Sequence, residues 1–407
     1  MSKIKVLALS YLFPNAEQPN HGVFVFNRLN ALMQYTDVKV INPIPWSPLH
    51  RFIPKYKSLA NIPYKTKRDK LEIYHPRFFS IPKVFKGIEV YTYKRAVKKT
   101  LDTDLKDYDF DVVDLHWTYP DLPTGESISR AFKKPLLLTL RGLEAFHEQD
   151  ADSRKGIVKR FLLKAHRIIA LSEELKQTSI RLGADPSRHT IIRNGVDTAL
   201  FAYIPKDKAK RQLKLLENEK IIVAVGALIH RKGFDLIINA LPELINQHGE
   251  TLKLYIIGAQ GAEGDFRTSL YALVKKMGLE KNVVFQGAVF NDLLPVWYNA
   301  ADVFCLASRG EGSPNVLTEA ISCGCPAVAT DVGAVREIME SEPNIGECVP
   351  SEDSKALGVA LSNVLSEELK SDYHREQNAK VFSQYNWDWC AQKVLEVYQA
   401  SLESPIA

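Results

Sequence analysis

Ten short apolar runs punctuate this chain, five in each half, and helix-period segments lie between many of them. In the first half the runs are IKVLAL (4–9), VKVINPI (38–44), DVVDLHW (111–117), PLLLTL (135–140) and RIIALS (167–172). The second half carries KIIVAVGAL (220–228), LKLYIIG (252–258), NVVFQG (282–287), DVFCLAS (302–308) and PAVATD (326–331). Runs that are apolar on both faces suit strands of a parallel sheet covered by helices on either side. Between the later runs sit FDLIINALPELINQH, FRTSLYALVKKMG, NDLLPVWYNA and PNVLTEAISCG, each with helical spacing. Strand–helix alternation twice over predicts two doubly wound α/β domains. The length of 407 residues agrees, because it exceeds what one hydrophobic core usually organises.

The break is expected near residue 200, where IIRNGVDTALF ends the first series and polar YIPKDKAKRQLKLLENEK precedes the second. This gives a first domain over 1–200 and a second over 201–384. The tail, 385–407, contains WDWCAQKVLEVYQASL, a helical pattern with no strand after it and a candidate to cross back to the first domain.

Composition narrows the class. With 45% apolar and 25% charged residues the chain is neither collagen-like, disordered nor coiled coil. Its net charge of +5 is uneven: residues 51–99 carry +11 and the rest −6. The later part of that stretch has helical periodicity. Lys94, Arg95, Lys98 and Lys99 fall on one face, and Val90, Tyr93, Ala96, Val97 and Leu101 on the other. That face, with Phe52, Tyr56, Phe78, Phe79 and Phe85 nearby in sequence, is a candidate for resting on anionic lipid, although a core-packed helix with a solvated basic face fits equally well. No recognition motif accompanies the charge, so a nucleic-acid partner is not expected. Five cysteines without metal-ligand spacing read as free thiols in a reducing compartment. No apolar run reaches membrane-spanning length, and the opening MSKIKVLALSYLF reads as a buried strand. The expected location is the cytoplasm, with a peripheral membrane contact through the basic stretch as the sharper alternative.

The segment SRGEGSPNVLTEAISCGCPAVATDVG (308–333) follows a strand and opens a helix. Gly310 and Gly312 permit tight backbone geometry, Ser313 is placed as N-cap and Pro314 at the first helical position. Free N–H groups at such a start favour a phosphate. Glu311 stands before this helix and Glu319 within it, too far along to cap it. A second cluster, Arg231 and Lys232, sits at a strand-to-helix turn closed by Gly233. Two cations at the end of one strand and a helix start at another make a plausible diphosphate clamp.

These residues resemble glycosyltransferase family 4, the retaining nucleotide-sugar enzymes of GT-B fold, in which two Rossmann-like domains face each other across a cleft. EGSPNVLTEAISCGCPAVAT is similar to the family's Glu-x7-Glu motif and its following Ala, Gly and Pro, here Ala320, Gly324 and Pro326. RNGVDTALF resembles the interdomain segment and VGALIHRKGFD the donor-phosphate loop, so the likeness spans nearly the whole chain.

The resemblance implies that Glu319 binds the donor ribose, that Glu311 faces the transferred sugar and that Lys232 holds the donor phosphate. Gly226, Gly312, Ser313, Pro314 and Asn315 would complete the donor site. The family's loop carries Arg directly after its first Gly. Here Gly226 is followed by Ala227, and Arg231 is the candidate to supply that charge. In the first half, DLHWTYPDLPTG resembles the element that places a His near the cleft, so His116 is a candidate catalytic residue hydrogen-bonding the sugar or the acceptor, with a satisfied strand-end histidine as the alternative. TLRGLEAF resembles a Thr-x-His-Gly-x-Asp segment, with Arg141 for the usual His and Glu144 for Asp. FPNAEQPNHGVFVFNRLNAL resembles the N-terminal loop, where Gly22 would let the backbone approach the ligand. The implied reaction transfers a sugar, with retention, from a nucleotide sugar to a saccharide or lipid-linked saccharide, with no metal and no cofactor.

Other signatures fare worse. There is no GxxxxGK[ST], and IIGAQGAEG lacks the close glycine pair of a dinucleotide fingerprint. The paired aspartates between Asp102 and Asp111 crowd a polar lead-in and read as solvated loop charge. A catalytically inactive nucleotide-sugar-binding scaffold is the competing class.

Overall fold

The computed structural model describes residues 3–81, 86–142, 154–261, 264–342, 344–366 and 371–403. The chain divides into two compact units, Met1–Gly195 with Trp387–Ala407, and Val196–Asn386. The breaks thus fall at 195/196 and 386/387, where 200 and 384 were expected. Val196 donates its N–H to the carbonyl of Tyr385 at 3.0 Å, which ties the end of the NGVD segment to the second unit.

The first unit runs β1 (Ile4–Leu9), α1 (Val23–Leu32), β2 (Thr36–Ile41), β3 (Ile44–Trp46), α2 (Pro54–Lys57), β4 (Lys65–Arg68), β5 (Leu71–Tyr74), β6 (Arg77–Phe79) and α3 (Lys86–Thr103). It continues through β7 (Val112–Leu115), α4 (Asp121–Phe132), β8 (Leu136–Thr139), α5 (Lys155–Leu162), β9 (Arg167–Ala170), α6 (Glu173–Arg181) and β10 (His189–Ile191). Its main sheet has the order β10-β9-β8-β7-β1-β2-β5-β4. Every pair is parallel except β4 with β5, a hairpin in what was expected to be a loop-rich stretch. The pleat sends Leu7 and Leu9 into one core layer with Tyr93 and Val97 of α3. Val6 and Ala8 go into the opposite layer with Val25 and Leu29 of α1.

The second unit runs α7 (Lys206–Leu213), β11 (Lys220–Val225), α8 (Phe234–His248), β12 (Leu252–Ile257), α9 (Arg267–Lys276), β13 (Val283–Gly287), α10 (Leu294–Ala300) and β14 (Val303–Leu306). Then follow α11 (Asn315–Ser322), β15 (Ala327–Thr330), α12 (Val335–Met339), β16 (Gly346–Val349), α13 (Ser354–Ser366) and α14 (Asp372–Phe382). Its sheet, β13-β12-β11-β14-β15-β16, is parallel throughout. Ile222 and Ala224 face α8 and α13, and Ile221 and Val223 face the layer holding α10 and α11.

The last helix, α15 (Trp387–Glu403), belongs to the first unit. Cys390, Ala391, Val394 and Tyr398 are buried against the α1 layer, and the Tyr35 hydroxyl donates to Asp388 at 2.7 Å. All five cysteines are free. Among the described residues no helix is long and apolar enough to cross a membrane.

Candidate functional site

In each sheet the strand order reverses once beside the first strand, between β1 and β7 in the first unit and between β11 and β14 in the second. Ligands of open α/β sheets bind outside the carboxyl ends of the strands at such a switch point. The loops leaving β11 and β14 carry the two charged clusters of the second half.

Those clusters meet. Lys232 Nζ lies 2.6 Å from Glu311 Oε1, and the same oxygen accepts from the Ser308 hydroxyl at 2.6 Å. Arg231 Nη1 donates to the Gly310 carbonyl at 2.8 Å and reaches Glu311 Oε2 at 3.5 Å. Gly226 adjoins the Lys232 stem: a Cβ there would stand 3.3 Å from Lys232 Cδ. Gly233 closes the turn with φ +62°, and its Cα side lies so close to β14 that a Cβ would sit 1.9 Å from the Ala307 carbonyl oxygen. Only glycine allows both the left-handed turn and that approach.

Arg309, which the sequence reading passed over, clips the two loops together. Its guanidinium donates to both carboxylate oxygens of Asp235 on α8, at 2.9 and 2.8 Å, and to the His230 carbonyl at 2.7 Å. Its own N–H donates to the Arg231 carbonyl at 2.7 Å. Hydrogen bonding to Asp235 raises its already high pKa further, so this is a fixed charge.

The helix after Gly312 begins one residue later than expected. Pro314 is the N-cap, with extended ψ 102°, and no side chain caps the helix, so Ser313 lies outside it and Asn315 is the first helical residue. Proline brings no side-chain acceptor to the cap, and the Leu317 N–H is taken by the Pro314 carbonyl at 3.1 Å. Glu319 is half-buried within α11 and accepts from the Tyr298 hydroxyl at 3.3 Å. Burial pushes its carboxyl up to about 7, with the Tyr298 hydrogen bond working in the opposite direction.

In the first unit His116 directly follows β7 and is fully buried. Its Nε2 lies 3.0 Å from Asp114 Oδ2, and its Nδ1 lies 3.0 Å from Arg141 Nη2. Nδ1 is thus paired with Arg141, whereas Nε2, although close to Asp114, makes no aligned hydrogen bond to it or to any other described group. Arg141, 8% exposed, is the more accessible of the two. Its Nη1 donates to Asn194 Oδ1 at 2.8 Å, and its guanidinium carbon lies 5.1 Å from the Phe24 ring centroid. Gly22 precedes α1 in the left-handed region, with φ +74°. Its bare face is turned to its own loop, where a Cβ would lie 2.6 Å from the Leu12 carbonyl oxygen. Glu144 lies outside the described residues.

Asp114, and Tyr398 of α15, whose hydroxyl donates to Asp114 Oδ2 at 2.6 Å, were not foreseen. Asp114 stands in a strand read simply as apolar, yet its spacing of two from His116 puts both on one face. Nothing local marked Tyr398. The first unit also holds a cavity of about 310 Å³ lined by Pro45, Trp46, His50, Tyr56, Lys57 and Arg77 among others. Among the described residues no three His, Cys, Asp or Glu side chains gather in a metal-binding group.

The family models match over both units. Residues 205–382 fit the model of glycosyl transferases group 1, and residues 59–200 that of Glycosyltransferase Family 4. The chain belongs to glycosyltransferase family 4. This family 4 chain is 31% identical over 244 residues to an uncharacterised glycosyltransferase of Methanocaldococcus jannaschii, covering 58% of the chain and 60% of that relative. It is 24% identical to a putative teichuronic acid biosynthesis glycosyltransferase of Bacillus subtilis, over 90% of each protein. Similarity to a D-inositol 3-phosphate glycosyltransferase of Kineococcus radiotolerans is 27%, over 65% of the chain and 64% of that relative. Sucrose-phosphate synthase from Thermosynechococcus elongatus shares the fold with a TM-score of 0.78 at 20% identity, over 98% of this chain and 99% of that one. The Anabaena protein HepE, solved with UDP, superposes with a TM-score of 0.74 at 19% identity, over 98% and 100%. These are GT-B structures, and the two Rossmann-like α/β units described above are the GT-B fold.

Proposed function

We propose that this chain is a retaining glycosyltransferase that takes a sugar from a nucleotide sugar bound by the second unit and passes it to a saccharide or lipid-linked saccharide bound by the first. The observation that carries the reading is the convergence of Lys232, Arg231 and Glu311 at the switch point beside the start of α11. Departure of a nucleoside diphosphate builds negative charge on its terminal phosphate. Lys232, Arg231 and the amides of α11 supply positive charge where that oxygen would sit, without a metal. Glu319 is assigned to the ribose hydroxyls. Retention is taken from family membership, with same-face attack and the leaving phosphate helping to deprotonate the acceptor.

On the acceptor side, Trp46 and Tyr56 give the 310 Å³ cavity aromatic walls, and Lys57 and Arg77 give it charge. This supports a saccharide, and an anionic one in particular. A peripheral membrane contact on the cytoplasmic face remains part of the reading.

A thermal-shift screen against UDP-, GDP- and ADP-sugars tests the donor class, with UDP-glucose first because HepE was also solved with it. The expected result is stabilisation by one nucleotide class, followed by transfer or slow hydrolysis that EDTA leaves intact. Binding without either reaction would establish the inactive scaffold instead, and loss of turnover in EDTA would remove metal independence.

A further inference from the structure

A guanidinium keeps its charge and presents its N–H donors in one plane, so the groups around it decide what it can do. Three basic side chains gather where the loops after β11 and β14 meet, and their partners set one apart. Lys232 and Arg231 both reach Glu311, at 2.6 and 3.5 Å. Arg309 faces two other carboxylates. Its Nη1 and Nη2 take both oxygens of Asp235 at 2.9 and 2.8 Å, and its Nε takes Glu352 at 2.5 Å. The charge of Arg309 is thus answered within the protein.

Its remaining bonds go to backbone. Nη1 also donates to the His230 carbonyl at 2.7 Å, and the Arg309 amide donates to the Arg231 carbonyl at 2.7 Å. Those are the two carbonyls immediately before Lys232. The contacts continue in step on either side. Gly233 packs so closely on Ala307 that a Cβ would stand 1.9 Å from its carbonyl oxygen. Arg231 Nη1 donates to the Gly310 carbonyl at 2.8 Å, and Lys232 takes Glu311. Ser308 is fixed from behind, its carbonyl accepting the Thr330 hydroxyl at 2.6 Å. The segment 307–311 is therefore joined to 230–235 almost residue by residue, with Arg309 at the centre.

We propose that Arg309 is a positioning residue that assembles the Arg231–Lys232 turn for the donor phosphate and binds no phosphate itself. This rests on the reading that the second unit binds the nucleotide sugar. Every bond Arg309 makes is to protein, and none needs a phosphate to complete it. Lysine cannot replace it, because three donors on one nitrogen cannot grip both oxygens of Asp235 and reach His230 as well.

The first test is hydrogen exchange of the full chain without nucleotide. Arg309→Lys should speed exchange of the amides of 229–236 about tenfold and leave β11 and β14 protected. Asp235→Asn serves the same purpose should Arg309→Lys not fold. Unchanged exchange in 229–236 would overturn the assembly role. In turnover, Arg309→Lys should lower kcat about a hundredfold, the scale of a misplaced catalytic group, while acceptor KM holds. In a Lys232→Ala background the same change should cost little more, since both act on one charge. Losses that simply multiply would mean a general structural role and count against the proposal. Calorimetry with UDP, GDP and ADP separates positioning from direct contact. Asp235→Asn releases the guanidinium, so weaker diphosphate binding supports positioning, and tighter binding would make Arg309 a phosphate ligand. If wild type binds none of the three, the donor reading fails, and the exchange result still decides what Arg309 does to the turn.

Discussion

Lys232 Nζ and Glu311 Oε1 are 2.6 Å apart, although 79 positions separate them in sequence and they leave different strands. The pair is mostly shielded, with side chains 15% and 9% exposed. On the proposed reading, a donor phosphate arriving at Lys232 shares it with a carboxylate already in place. Glu311 sets the resting position of the lysine and, on the proposed reading, restrains its grip on the product diphosphate.

Lys232→Ala removes one pre-placed charge from the developing phosphate anion and should lower kcat/KM for the donor about a hundredfold to a thousandfold. Glu311→Gln should do two things at once. Turnover falls, while binding of the free nucleoside diphosphate tightens several-fold because Lys232 loses its competitor. Calorimetry with the diphosphate of the best donor checks the second effect, and weaker binding by Glu311→Gln would refute the shared-lysine account.

Gly233→Ala should damage the same loop through the backbone. The new methyl would meet the Ala307 carbonyl at 1.9 Å with φ held at +62°. The penalty is expected to exceed about 2 kcal/mol. Thermal unfolding should show a clear drop in Tm, with donor affinity falling in parallel. A variant as stable as wild type would mean that the loop re-forms without this approach.

The central strands were legible because burial on both faces leaves an unbroken apolar run, and β1, β7, β8, β11, β12 and β14 fall where such runs lie. β4 and β5 were hidden because KTKR is a polar edge strand and LEIY is too short for a pattern. β16, GECV, has little apolar character to announce it. In the second unit the candidate cluster was readable because Glu311, Gly312 and Pro314 are neighbours in sequence and Lys232 sits in one compact turn. Arg309 carried no local signal because its partners, Asp235 on α8 and the His230 carbonyl, lie 74 and 79 positions away in sequence. The surroundings of His116 were hidden for a related reason: Arg141 reaches its ring from the loop after β8, and strand-end position alone does not reveal that.

The basic helix gives a separate expectation. Lys94, Arg95, Lys98 and Lys99 are exposed on α3 while Tyr93, Val97 and Leu101 are buried. Ile88 and Tyr91, 50% and 63% exposed, continue the outward face toward its N-terminus. Phe78 is buried and Phe85 lies outside the described residues, so of the aromatic residues first considered Phe52, 70% exposed, remains the clearest. At about 1 kcal/mol per cation, four alanine substitutions on α3 should weaken binding to anionic vesicles by roughly a thousandfold at low salt. Flotation with phosphatidylserine vesicles measures this. Wild type that stays with the neutral-vesicle control would rule out the membrane contact.

Glu319 should give donor binding and stability opposite dependences on pH. Its carboxyl is raised from 4.5 to about 7 in the folded chain by burial. Below pH 4.5 it is neutral folded and unfolded, and its contribution to stability is complete. Between 4.5 and 7 the unfolded chain ionises while the folded one holds its proton, so stability falls as pH rises and levels off above 7. Glu319→Gln mimics the neutral acid and should therefore raise Tm relative to wild type at pH 8 and change it little at pH 4.5. Binding runs the other way. An ionised carboxylate is the better acceptor for ribose hydroxyls, so wild-type donor affinity should rise between pH 6 and 8, whereas the Gln variant should bind more weakly and with a flat profile. Calorimetry at the two pH values and thermal scans of both proteins decide it. A Gln variant that follows the wild-type binding curve would mean that another group titrates, and that Glu319 does not hold the ribose.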